Sequence, residues 1–184
     1  MNGIIIYQSS CGSTREYAEW ISEGTGFECC TLKEVQDKAL DRYDIVIAGS
    51  FVIAGKITIG RWIDRKWDIL KNKEVVVFST SGARPSPELA SMLMKNSFSE
   101  EVASRVRLFP MHGRRRQKDL SLTAKIMLWI AATFIAKTPE EKEDMRKEFD
   151  GVDRAWTHGL VEHITTLTAT MNGTPSDTLE RSAP

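Results

Sequence analysis

Short apolar, β-branched runs alternate along this chain with segments long enough to hold a helix. That alternation constrains the fold more than any single residue does. Ile4, Ile5, Ile6 and Tyr7 form a continuous apolar run ended by Ser9, Ser10 and Gly12, the pattern of a strand buried on both faces. The period then changes: Thr14, Tyr17, Ala18 and Ile21 fall on one side of a helix that Gly24 and Gly26 stop. Residues 27–32 are expected as a second strand, 45–48 as a third, 75–78 as a fourth and 106–111 as a fifth. Between the third and fourth, Ile59, Trp62, Ile63, Trp67 and Leu70 trace a helical stripe. After the fourth, Pro87 suits the first turn of a helix running to Lys95. Hairpins cannot produce this spacing. The expectation is an α/β fold, a doubly wound five-stranded parallel sheet with helices on both faces.

Composition narrows the function classes. At 184 residues, with 41% hydrophobic and 27% charged, the chain has room for one well-cored domain. That domain is expected over 1–167, with 113–150 an inserted segment of basic, apolar and charged helical character and 168–184 a flexible C-terminal tail. The closing helix should run over 152–167, with Trp156, Leu160 and Ile164 on one face. Lys+Arg and Asp+Glu are both 25, and a formal charge of zero argues against nucleic acid as a partner. The three cysteines, Cys11, Cys29 and Cys30, are odd in number and two are adjacent, which does not make a disulfide framework. With no charged-then-apolar leader at the start, the expected location is the cytoplasm. Cys29 and Cys30 should point to opposite faces of their strand, one in the core and one near the surface, and no redox role is assigned to them. His158 and His163 are poorly aligned on a helix and no cysteine pair supports them, so no metal site is expected.

The most informative segment is Ser9-Ser10-Cys11-Gly12-Ser13-Thr14, between the first strand and the first helix. In a parallel α/β sheet, ligands gather at the carboxyl ends of the strands. A turn of small residues leaves its N–H groups available, and the following helix adds a partial positive end, so a phosphate can be held without Lys or Arg. The plainer alternative is a serine-capped helix start. Other phosphate chemistries fail on spacing. The nearest candidate for GxxxxGK[ST], Gly49 through Gly55-Lys56-Ile57, has one residue too many and Ile57 where a hydroxyl belongs. No GxGxxG follows the first strand, and Cys11 lies too close to Arg15 for a cysteine-phosphatase loop.

Strand, then S-x-C-G-S-T, then helix, within five alternating strands, resembles the flavodoxin family, whose phosphate loop reads [ST]-x-[TC]-G-x-T. The resemblance implies a flavodoxin-like sheet of order 2-1-3-4-5 with FMN at its carboxyl edge. Ser9, Ser10, Cys11, Gly12, Ser13 and Thr14 would carry the phosphate. Ser50-Phe51-Val52-Ile53-Ala54-Gly55 after the third strand and Ser79-Thr80-Ser81-Gly82-Ala83 after the fourth would meet the isoalloxazine ring. Phe51, Val52 and Ile53 can wall the ring, with Phe51 the best stacking candidate, whereas residues 79–85 hold no aromatic side chain. Trp62 is weighed mainly as core packing.

Arg84 lies beside the third loop, and Arg105, Arg107, Arg114, Arg115, Arg116 and Lys118 cluster around the fifth strand with no acid among residues 105–118. A cation near the ring favours its negatively charged reduced form and raises its potential; the alternative is a solvated basic loop. Residues 121–137 are expected to be a helix, apolar nearly all round over 125–137, and the longest apolar stretch, Ile126 to Ala136, is too short to cross a bilayer, which takes about 20 residues. Its surplus apolar surface suits a homodimer seam, a peripheral membrane contact at the inner face, or an apolar substrate. The charged residues 139–150 are also expected to be helical. The arrangement is similar to the branch of the flavodoxin family that contains quinone-dependent protoporphyrinogen oxidases. Two functions follow from the resemblance. One is an FMN redox carrier between partner proteins, with no side chain acting as acid or base. The other is an FMN-dependent, quinone-linked oxidase of a porphyrinogen-like substrate. A flavin-free module holding another phosphate is the third alternative.

Overall fold

The computed structural model describes residues 2–115 and 148–171. In chain order these are β1 (Gly3–Gln8), α1 (Ser13–Thr25), β2 (Glu28–Thr31), α2 (Asp37–Leu40), β3 (Ile45–Ile53) and β4 (Lys56–Ile57). Then come α3 (Gly60–Arg65), α4 (Trp67–Leu70), β5 (Glu74–Ser81), α5 (Pro87–Ser97), α6 (Glu100–Ala103) and β6 (Arg107–His112). The described chain closes with β7 (Arg114–Arg115), β8 (Phe149–Asp150), a 3-10 turn (Arg154–Thr157) and α7 (His158–Met171). The main sheet has the order β2-β1-β3-β5-β6, all parallel. Counting only the five parallel strands, this is the expected 2-1-3-4-5 order.

Period-two alternation divides the core between the sheet faces. Ile4, Ile6, Val46, Ala48, Val75 and Val77 pack under α3–α6 with Trp62, Trp67, Leu70 and Leu93. Ile5, Ile45, Ile47, Val76 and Phe78 pack under α1 and α7 with Tyr17, Ala18, Ile21, Leu160 and Ile164. Trp62 is therefore a core residue. Cys30 packs against the first cluster and Cys29 against the second, so the two do point to opposite faces. Both are half-buried, because β2 is an edge strand, so neither the core cysteine nor the near-surface one is found as expected. Burial pushes the Cys29 thiol up to about 12 and raises Cys30 as well, so both remain protonated.

Several boundaries differ from the sequence reading. β3 continues through Ser50 to Ile53 and turns into β4, pairing Val52 with Ile57 and Ile53 with Lys56. The helical stripe after it breaks at Lys66 into α3 and α4. Within the charged stretch expected to be helical, Phe149 and Asp150 are instead strand β8, antiparallel to β7. The closing helix begins in the 3-10 turn at Arg154 and continues past 167 to Met171. Trp156 falls in the 3-10 turn and is 39% exposed, so it does not share the buried face of Leu160 and Ile164. The expected helix 121–137, the rest of 116–147 and the tail from 172 lie outside the described residues. Among the described residues, no helix is long and apolar enough to cross a membrane.

Candidate functional site

The carboxyl edge of the sheet is where the three predicted loops meet. Strand register places Gln8 beside Ser50, Ser50 beside Ser79, and Phe51 beside Thr80. The first loop joins β1 to α1 through Gly12, whose φ of 86° lies in the left-handed region that glycine adopts without steric cost. The Gly12 N–H donates to Ser9 Oγ at 3.2 Å, and the Gly12 carbonyl accepts from Glu16 N–H at 3.0 Å as the helix begins. No side-chain hydrogen bond caps α1. By contrast, Ser86 caps α5 through the Leu89 N–H and Ser99 caps α6 through the Val102 N–H. The serine-capped reading of the first loop therefore does not describe it. The first-turn amides of α1 retain the partial positive charge that favours an anion.

Around this helix start lies a depression of about 440 Å³ lined by Ser9, Ser10, Cys11, Gly12, Arg15 and Arg114. Ser13 and Thr14 are buried beneath it. Thr14 Oγ1 shares a buried hydrogen bond of 2.9 Å with Thr80 Oγ1, which locks the first loop to the end of β5. A neighbouring hollow of about 320 Å³ shares Ser9 and Arg15 and extends along Tyr7, Gln8, Thr31, Leu32 and Lys33.

The second predicted loop is mostly strand. Ser50 is fully buried, and its Oγ accepts the Ile59 N–H at 3.0 Å beneath the β3–β4 hairpin. Thr58 donates both its N–H and its hydroxyl to the Phe51 carbonyl, each at 3.1 Å. Ser97 on α5 accepts the Ile57 N–H at 2.9 Å, fastening the hairpin to the helix. Phe51 and Val52 are half-buried and Ile53 is 37% exposed, so an apolar rim stands at the sheet edge. The turn itself is Ala54-Gly55, with φ of 48° and 72°.

In the third region, β5 extends through Ser79 and Thr80 to Ser81, and only Gly82 and Ala83 are exposed loop residues. Ser79 Oγ is buried with no hydrogen-bond partner among the described residues. None of the second- or third-loop residues lines the 440 Å³ depression.

Two neighbours of the site escaped the sequence reading as site residues. Arg114 donates from Nη1 to Glu16 at 2.7 Å and from Nε to Asp150 at 2.9 Å, and its side chain is only 19% exposed. Phe149 stacks on His112, with ring centroids 5.6 Å apart at 12°. Its ring also reaches the third loop, where a Cβ added at Gly82 would lie 2.9 Å from it. An aromatic ring thus stands beside the loop whose own sequence has none. His112 Nε2 lies 3.2 Å from the Gly82 carbonyl, and Tyr17 donates to the His112 carbonyl at 2.6 Å while accepting the Asp153 N–H. Burial pushes the Tyr17 hydroxyl up to about 12, so it stays a neutral tie between α1, β6 and the closing segment.

The donor set fits a phosphorylated flavin. An uncapped helix start, a left-handed glycine, hydroxyls and two arginines suit the phosphate. Phe51, Val52, Ile53 and Phe149 offer apolar surface at the same edge.

The flavodoxin domain family model matches residues 4–150. Among solved structures, the chain is similar to a flavodoxin from the domain Archaea at 19% identity, covering 74% of this chain and 100% of that one, with a TM-score of 0.43. It is also similar to a WrbA-like flavodoxin from Agrobacterium tumefaciens at 15% identity, covering 79% and 97%, TM-score 0.46. A third is a flavoprotein from Lactobacillus acidophilus NCFM in complex with FMN, at 19% identity, covering 60% and 91%, TM-score 0.40. No curated protein matches the chain.

Proposed function

The chain belongs to the flavodoxin domain family, and from that membership we propose that it binds FMN and carries electrons between partner proteins. FMN, when bound, supplies the redox chemistry through its ring. The work left to this chain is to hold, orient and shield. The observation that carries the reading is the start of α1: a left-handed Gly12 opens a 13-residue helix that no side chain caps, beside Ser9, Ser10 and Arg15. Ser9 fixes the Gly12 amide, and Thr14 ties the loop to Thr80, so the phosphate cradle is set before a ligand arrives.

Phe51, Val52 and Ile53 would wall the ring, and Gly55 and Gly82 would admit its polar edge. No side chain need act as acid or base. The proposed partners are redox proteins docking at this sheet edge. The quinone-linked oxidase reading rests on residues 114–137, of which 116–137 lie outside the described residues, and no observation favours it over the carrier.

The test is flavin identification by mass spectrometry on the purified protein, followed by the double variant Gly12→Val, Thr14→Ala. A Cβ at Gly12 meets nothing within 4 Å, so a side chain there is strained first by the left-handed φ, at a cost of about 1–2 kcal/mol. Thr14→Ala severs the tie to Thr80. Loss of FMN retention is expected. Undiminished retention in a folded double variant rejects the cradle.

A further inference from the structure

We propose that Arg114 grips the ligand's phosphate directly and so makes the site select a phosphorylated flavin over the same flavin without phosphate. The proposal rests on the FMN reading and assigns a residue that the phosphate loop itself does not contain. Arg114 lies beyond β6 yet lines the same depression as Ser9, Ser10, Cys11 and Gly12. Its two recorded bonds use the Nε–H and one Nη1–H. A guanidinium has five N–H donors in a rigid fork. Donors on Nη1 and Nη2 therefore remain for an anion, with no further partner among the described residues.

The cradle also contains its own opponent. Glu16 sits in the first turn of α1, close to where the phosphate charge of about −1.5 to −2 would be held. Arg114 covers that carboxylate at 2.7 Å. It thus neutralises Glu16 and can offer the phosphate a charge-assisted hydrogen bond. Its second carboxylate, Asp150, orients the fork from β8. A clamp serving only to join β7 to β8 would act identically whether the ligand carried a phosphate or not.

The experiment titrates FMN and riboflavin, which differ by the phosphate, into the flavin-depleted full-length protein and its Arg114→Gln variant. Expected is a loss of about tenfold or more in FMN affinity, as for a hydrogen bond to a charged group, with riboflavin changed less than twofold. An equal loss for both flavins, or no loss for FMN, overturns the proposal. Should Arg114→Gln fail to fold, Glu16→Gln carries the test. Removing the opposing carboxylate should tighten FMN several-fold and leave riboflavin unchanged, and an equal response of the two flavins overturns it. A wild-type protein that binds neither flavin rejects the FMN reading and this proposal together. FMN binding that is indifferent to Arg114 rejects this proposal alone.

Discussion

Ser79 shows how a single side chain can be legible in type and misleading in place. Its position after an apolar run in a Ser-Thr-Ser-Gly sequence points to a ligand-facing loop. The register instead continues β5 through it, on the same sheet face as Val75 and Val77. Its hydroxyl is buried without a partner among the described residues, a state that costs about 1–3 kcal/mol relative to a satisfied group. Ser79→Ala is therefore expected to stabilise the flavin-depleted protein by about 1 kcal/mol, raising Tm by about 2–4 °C. Thermal melts with and without FMN check this. A lower Tm without FMN would show that the hydroxyl has a partner, such as an ordered water. Thr80, one residue on, alternates to the other face and meets Thr14, 66 positions away in sequence. Arg114 meets Glu16 across 98 positions. No local pattern reports pairings at that range, which is why the loop was readable and its tertiary partners were not.

At the scale of elements, the helices and parallel strands follow from periodicity, and the departures have identifiable causes. The α1 stripe of Tyr17, Ala18 and Ile21, the Gly26 stop and Pro87 at the start of α5 all stand as read, whereas Gly24 lies within α1 and does not end it. The β3–β4 hairpin was not legible, because its turn is Ala-Gly and lacks the Asn or Asp that usually marks positive φ at both central residues. Ala54 holds φ 48° because the surrounding bonds impose it: Ile57 to Ser97, Thr58 to Phe51, and Asn96 to the Gly55 carbonyl. An alanine in the left-handed region costs about 1–2 kcal/mol, and asparagine tolerates it better. Ala54→Asn should stabilise the protein by about 0.5–1 kcal/mol, read as a higher urea midpoint at unchanged slope. A lower midpoint would mean that the turn is not strained at Ala54. β8 escaped notice for a different reason: two residues at the end of a charged run carry no period at all.

At the scale of the whole molecule, the described residues form a sheet with a separate core on each face, and α7 closes the one built on Ile5, Ile47 and Phe78. That closure contains an acid-sensitive contact. His163 on α7 lies 5.8 Å from the Phe109 ring, and Arg107 donates to its Nδ1 at 3.4 Å while also standing over Phe109. Its Nε2 is buried without a partner among the described residues. Burial lowers the His163 pKa below the usual 6.5, and the Arg107 charge lowers it further, against a smaller opposing pull from Glu74. The unfolded chain thus takes up a proton at this residue at a higher pH than the folded one does. Stability is unaffected by His163 above the unfolded value, falls as pH drops below about 6.5, and levels off under the folded value. Comparison with His163→Gln isolates the one group. Urea midpoints measured from about pH 7.5 to pH 5 should fall more steeply for the wild type than for His163→Gln. Parallel slopes would place the acid sensitivity elsewhere. Arg107→Gln should reduce the same difference without abolishing it, because the larger cause is the burial that α7 itself creates.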